Sequence, residues 1–225
     1  MSDLALVVFD VDGTLIDSQA HIVAALEAMY RDGNRVPPGR SDLLSIVGLS
    51  LAQAIRRLEP DLDEAEVARW ADAYRSHFVD LRHRDAPSPM YPGAKACLDR
   101  LARVEPVLLG VATGKARRGL DHLIEAHELA GYFVTLQTSD QHPSKPNPAM
   151  LEAALSDAGV ERTRAVMIGD TTFDVEMATG AGVASLAVTW GYHSADRLCT
   201  ATPDAMVNAF AELDPALEKI LGITV

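Results

Sequence analysis

The sequence predicts an α/β protein: a doubly wound, mostly parallel sheet with a small helical domain inserted after its first strand. Three observations predict it. Short apolar, partly β-branched runs recur along the chain. Helix-spaced apolar patterns separate them. One interval of about ninety residues, from Leu15 to Pro106, breaks the alternation and holds no convincing buried strand.

The first run, residues 4–9, reads Leu-Ala-Leu-Val-Val-Phe and stops at an Asp-rich turn. That pattern suits a strand buried on both faces of a parallel sheet. Residues 107–112, 165–168 and 184–188 repeat it, and 132–137 is a weaker copy. Helices are predicted over 116–126 and 149–158, with another beginning at Asp174; Gly114 and Gly159 punctuate them. Strand and helix alternate, which argues for double winding. A crossover needs only ~10–12 residues beyond the strands it joins. The long interval therefore predicts a domain of its own at 17–86, set into a core made of 1–16 and 87–225. Its periodicity is helical: Ile22, Val23, Leu26 and Met29, then 51–58, then 67–78. Residues 84–93, with Pro87, Pro89 and Pro92, read as a stiff return linker. Residues 205–221 are expected to add a short strand and a closing helix.

The chain has 225 residues, 48% hydrophobic and 23% charged, enough apolar matter for a sizeable core. Its formal net charge of −12 repels nucleic-acid phosphates and anionic lipids, so neither is an expected partner. The run at 4–9 is too short to cross a bilayer, and no basic stretch precedes it as in a signal peptide. A cytoplasmic protein is expected. Cys97 and Cys199 show no metal-ligand spacing and read as buried free thiols.

Four strand ends carry the chemistry. After the first strand comes Asp10-Val11-Asp12-Gly13-Thr14. Residues two apart in an extended segment point to one side, so Asp10 and Asp12 can converge beyond the carboxyl end of the strand, where open α/β sheets bind ligands. Alone, Asp-Gly is equally a surface turn. The second core strand ends at Thr113-Gly114-Lys115, which offers a hydroxyl and backbone amides to a phosphate, or a plain helix cap. Lys145 sits between prolines on a loop before a helix; only four lysines occur in the chain. Asp170 and Asp174 follow the fourth strand, where an acidic cap is the simpler explanation of Asp174.

These four segments, in this order, resemble the haloacid dehalogenase superfamily, with a Rossmann-like core and a helical cap where one cap class of that superfamily places it. The resemblance covers the whole chain and is strongest in the DxDGT run at 10–14. It implies that Asp10 is the nucleophile and Asp12 the acid/base. It implies that Thr113, Gly114 and Lys145 bind phosphate. It also implies a magnesium ion held by Asp10, Asp170 and the backbone carbonyl of Asp12, with Asp174 in support.

Departures within the superfamily narrow the reaction. Dehalogenases lack the second Asp of the motif; Asp12 is present here. Phosphonate cleavage uses a cap lysine, and residues 16–90 contain none. The β-phosphoglucomutase branch has a cap His twelve positions after its nucleophile; here Ile22 stands there, with His21 adjacent. What remains is similar to phosphoglycolate phosphatases: a magnesium-dependent phosphomonoesterase acting on a small phosphorylated metabolite. Pyrophosphate, sugar phosphates and nucleotides are alternative substrates, and a non-catalytic phosphate-sensing module is the alternative from another class. Residues 47–51 are expected to form a substrate-facing loop. Arg56 and Arg57 after it either read an anionic leaving group or lie on a solvated helix face.

Overall fold

The computed structural model describes residues 4–224; the outermost residues of the expected core, 1–3 and 225, lie outside the described residues. Six strands run β1 (Ala5–Phe9), β2 (Val107–Thr113), β3 (Thr135–Thr138), β4 (Ala165–Gly169), β5 (Ala184–Val188) and β6 (Ala205–Val207). They form one sheet in the order β3-β2-β1-β4-β5-β6, every pair parallel. The fold class is the one expected. The chain winds outward from β1 to β3, then crosses back to lay β4 against β1. The strand order therefore reverses between β1 and β4, the switch point where such sheets hold ligands outside their carboxyl ends.

β1 shows why the sheet is covered on both sides. Ala5, Val7 and Phe9 join one buried cluster, with α5 (Ala94–Leu101) and α10 (Leu213–Leu221) packed on that face. Leu6 and Val8 join the other, against α7 (Ala149–Ala158) and α8 (Thr172–Ala181). All five β1 residues are buried, as an uninterrupted apolar strand requires. α6 (Arg117–Ala126) and α9 (Ala195–Thr200) complete the surround.

Between β1 and α5 the chain forms α1 (Gln19–Asp32), α2 (Arg40–Leu44), α3 (Leu51–Leu58) and α4 (Glu64–Arg84). These helices bury their own cluster, including Leu26, Met29, Tyr30, Ile55 and Val67. Asp63 caps α4 through a reciprocal box with Glu66. The two connections to the sheet lie side by side. Ile16 pairs antiparallel with Met90, Asp17 N donates to Pro89 O at 2.9 Å, and Tyr91 N donates to Leu15 O at 2.9 Å. The proline-rich return segment is thus one half of a short ladder.

Some local expectations move. α4 runs to Arg84, so helix continues one residue into the segment read as linker. β3 starts at Thr135 and not at Tyr132, because it is an edge strand that pairs only with β2 from Gly110 onward. α8 begins at Thr172, two residues before Asp174, because Thr171 and Asp174 form a capping box. Cys97 is buried, but Cys199 is exposed on α9, contrary to the expectation of two buried thiols. No helix among the described residues is long and apolar enough to cross a membrane.

Candidate active site

Seven of the residues singled out in the sequence converge at the switch point: Asp10, Asp12, Thr113, Gly114, Lys145, Asp170 and Asp174. Asp10 extends β1, its amide donating to Ile168 O of β4 at 2.9 Å, and it is 1% exposed. Gly13 then turns the chain with φ +88°, and a Cβ there would stand 2.2 Å from Asp170 Oδ2. Only glycine tolerates both the dihedral and the approach. Thr14 Oγ1 donates to Asp170 Oδ1 at 2.8 Å, and the Tyr192 amide donates to Oδ2 at 2.8 Å. Asp170 is thereby fixed by one group from the loop after β1, across the switch point, and one from beyond β5.

We expect Gly13→Ala to lower stability by roughly 2–4 kcal/mol, the combined effect of a positive φ and an overpacked contact. Chemical denaturation measures it; an unchanged midpoint would contradict the assigned turn.

Asp174 serves the site from α8. Its Oδ2 accepts from Thr171 N at 3.0 Å and Thr171 Oγ1 at 2.7 Å, while Oδ1 accepts from Lys145 Nζ at 2.6 Å. Lys145 is fully buried and its ammonium also lies 3.0 Å from Asp10 Oδ1. That second contact is an ion pair without hydrogen-bond alignment, and both Asp10 oxygens are left without a hydrogen bond.

The electrostatics identify what the cluster lacks. Asp10, Asp170 and Asp174 are all buried, with ligand oxygens within 4.8 Å of one another. Three carboxylates against one ammonium sum to −2 if all are ionised. Burial, with help from Asp174 and Asp12, outweighs Lys145 and pushes the Asp10 carboxyl up to about 7. Burial and the charges of Asp174 and Asp10 hold Asp170 well above the usual carboxylate range. Burial alone would lower Lys145, but Asp10 and Asp174 beside it keep its ammonium above the ordinary lysine value. A hard divalent cation with oxygen ligands matches the charge deficit and the orphaned Asp10 oxygens, so the residues present fit magnesium.

Asp12 faces a cavity of about 450 Å³ that also reaches Asp10, Thr113 and Gly114. Its carboxylate accepts from Ser18 Oγ and pairs with Lys115 Nζ at 2.9 Å. Thr113 is buried at the end of β2, and its Oγ1 accepts from Lys115 N at 3.2 Å. At Gly114 a Cβ would meet Gly48 O at 2.5 Å and Leu49 O at 2.7 Å. The loop before α3 therefore lies directly on the Thr113–Lys115 turn, and Val47, Gly48, Leu49, Ser50 and Leu51 line the cavity as expected.

Arg56 and Arg57 do not line it. Leu51, Ala54, Ile55 and Leu58 give α3 its inward faces, so the next positions turn elsewhere. Arg56 pairs with Glu64, and Arg57 is exposed with its guanidinium 5.4 Å from the Phe173 ring centre. The cations that do reach the cavity are Lys115, Arg75, Arg82 and Arg118. Lys115 had a sequence signal, since it follows a strand end and is one of four lysines. Arg82 had none, because only the rotation of α4 about its axis decides its direction. His193 is a further tie between the layers. Its Nδ1 accepts from Thr172 N at 3.0 Å and its Nε2 donates to Ser45 O at 3.1 Å, the neutral tautomer that burial enforces by pushing its pKa down to about 4.

Comparison with known proteins places this arrangement. A family model described as haloacid dehalogenase-like hydrolase matches residues 7–188. The "Probable phosphatase IndB" of Dickeya dadantii is 34% identical over 222 residues, covering 97% of this chain and 96% of that protein. The "Phosphoglycolate phosphatase" of Agrobacterium fabrum is 30% identical over 224 residues, covering 96% and 94%. Among solved structures, "a predicted phosphatase from Clostridium acetobutylicum" superposes with TM-score 0.85 at 28% identity, covering 98% of this chain and all of that one.

Proposed function

The chain is a phosphatase of the haloacid dehalogenase-like hydrolase family, and from that premise we propose a magnesium-dependent phosphomonoesterase that passes the phosphoryl group of a small metabolite through Asp10. The observation that carries this reading is the Asp10 carboxylate itself: buried at the switch point, 3.0 Å from the Lys145 ammonium, and grouped with Asp170 and Asp174. A carboxylate so placed is kept available for something other than structure.

Asp10, Asp170 and the Asp12 carbonyl would hold magnesium, with Asp174 behind them. Bound there, the ion supplies the positive charge that lets an anionic nucleophile meet an anionic phosphate. The protein's own groups do the rest. One Asp10 oxygen attacks phosphorus, and the bond from phosphorus to the leaving oxygen breaks. Thr113, Gly114 and Lys145 hold the phosphoryl oxygens. Asp12 passes a proton to the departing alcohol, and the Lys115 ammonium beside it balances the carboxylate this leaves. Asp12 then takes a proton from water as that water attacks phosphorus, which releases Asp10 and inorganic phosphate. Helices α1–α4 act as a cap over residues 17–86, and Ile22, not His21, faces the cavity. His21 is instead engaged with Ser88 at 2.7 Å, which favours hydrolysis over a mutase that needs a cap histidine in the site. The relatives named phosphoglycolate phosphatase make phosphoglycolate the reference substrate. Acting on a small phosphate ester, with two free cysteines, the enzyme fits a cytoplasmic setting.

Chelation is expected to abolish turnover, magnesium to restore it, and calcium to support it poorly, because calcium tolerates more ligands and longer bonds. Full activity in a chelated, metal-free sample would contradict the metal assignment. A second readout needs no substrate. Because burial raises the Asp10 pKa to about 7, the folded state holds a proton that the unfolded state has lost between about pH 4 and about pH 7. Metal-free stability from this group therefore falls as pH rises through that window. Magnesium must displace the proton, so its thermal stabilisation should grow from about pH 5.5 to about pH 8. A pH-independent shift would contradict it.

A further inference from the structure

The cavity above Asp10 and Asp12 is larger and more apolar than a two-carbon acid would fill. Its volume is about 450 Å³, in the range of roughly 300–1,000 Å³ that suits larger organic ligands. Its walls are mainly aliphatic and aromatic. Leu26 of α1 and Ile46 and Leu49 of the loop before α3 contribute to them, and α4 adds Tyr74 and Phe78. The Tyr74 and Phe78 rings stack with centres 5.7 Å apart. Tyr74, Phe78 and Arg82 recur every four residues, so they form one stripe along α4 facing the site.

Of the four cations that reach the cavity, Arg75 is paired with Asp72 and Arg118 is exposed. Lys115, the cation nearest the chemistry, is already engaged: its ammonium pairs with Asp12 and lies 5.1 Å from the centre of the Phe78 ring. A carboxylate next to the phosphate would have to break that pairing. Arg82 is different. It lines the cavity, its side chain is half-buried, and it makes no ion pair with any carboxylate among the described residues. A guanidinium without a carboxylate partner keeps its planar fork of donors for an acceptor on a ligand.

We propose that the substrate is a phosphate monoester of an alcohol with a flat apolar body about the size of an aromatic ring. That body lies among Leu26, Ile46, Leu49 and Phe78, and carries a hydrogen-bond acceptor that Arg82 binds. This deepens the phosphomonoesterase reading and rests on it.

Four probes separate the two levels: acetyl phosphate, phosphoglycolate, benzyl phosphate and 4-carboxybenzyl phosphate, each assayed for phosphate release with magnesium. Wild-type kcat/KM should be about tenfold or more higher for benzyl phosphate than for phosphoglycolate, and about tenfold higher again for the carboxybenzyl ester. Phe78→Ala should cut kcat/KM for benzyl phosphate about tenfold. Arg82→Met should erase the preference for the carboxybenzyl over the benzyl ester, mainly through KM; Arg82→Lys, which keeps the charge but loses the fork, should retain part of it. Phosphoglycolate matching or exceeding benzyl phosphate, with acetyl phosphate turned over, overturns the substrate class and leaves the phosphatase reading standing. An undiminished carboxybenzyl preference in Arg82→Met overturns the role of Arg82, as does an equal loss on both esters. No turnover of any of the four overturns both readings.

Discussion

Asp10→Asn will fold with its metal-free stability equal to or above that of the parent and lose roughly 10⁴-fold or more of its turnover. The two halves of that expectation have separate causes. An amide is no nucleophile toward phosphorus and cannot form the acyl phosphate. It also carries no charge, so the buried cluster drops from three carboxylates to two, Asp170 and Asp174, facing one ammonium. The position is 1% exposed, and an amide of nearly the same size and shape keeps an oxygen that can face the Lys145 ammonium. A loss of activity caused by unfolding would appear as a lower denaturation midpoint; the account requires the midpoint to hold. Near-parental turnover in a sample checked for deamidation would remove Asp10 from the chemistry.

Lys145→Met acts in the opposite direction on stability. Its ammonium is wholly buried, 2.6 Å from Asp174 and 3.0 Å from Asp10. Removing one partner of a buried ion pair costs about 3–5 kcal/mol, because the charges left behind have neither water nor a counter-ion. Here two carboxylates lose their cation at once. Denaturation of the metal-free variant should show a cost of that order near neutral pH, shrinking as the pH falls and the carboxylates take up protons. Activity should fall about 10³-fold for want of a donor to the phosphoryl oxygens. A metal-free Lys145→Met protein as stable as the parent would show that the buried charges are balanced some other way.

The contrast between these two variants marks what the sequence could reveal. Asp10, Asp12 and Asp170 stand at strand ends, where the backbone directs them, and the four segments together, through their resemblance to one superfamily, gave these residues and Asp174 their roles. A residue at the end of a buried strand points to the ligand side of the sheet, whatever surrounds it. Thr113 also ends a strand, whereas Lys145, on the loop before α7, was legible only through the resemblance. The strands themselves were legible because burial on both faces demands continuous apolar runs, as in Ala5–Phe9. The cap was less so. A helical pattern shows which face is buried, yet it does not show whether the remaining faces meet solvent or a cavity. Arg56 and Arg57 follow the loop that lines the site, but α3 turns them toward Glu64 and Phe173. Arg82 lies about 25 residues further along, and the stripe it shares with Tyr74 and Phe78 reads in the sequence as ordinary helix packing. The length of an edge strand and the exposure of Cys199 likewise depend on neighbours that local pattern does not contain.

A covalent bond between Asp10 and phosphorus can be observed directly. A single turnover quenched in acid, reduced with borohydride and digested would convert a phosphorylated aspartate to homoserine, which mass mapping locates. The account predicts homoserine at position 10, dependent on substrate and magnesium and lost in Asp10→Asn. Turnover with Asp10 unmodified at every quench time, or the phosphoryl group on a different residue, would contradict it.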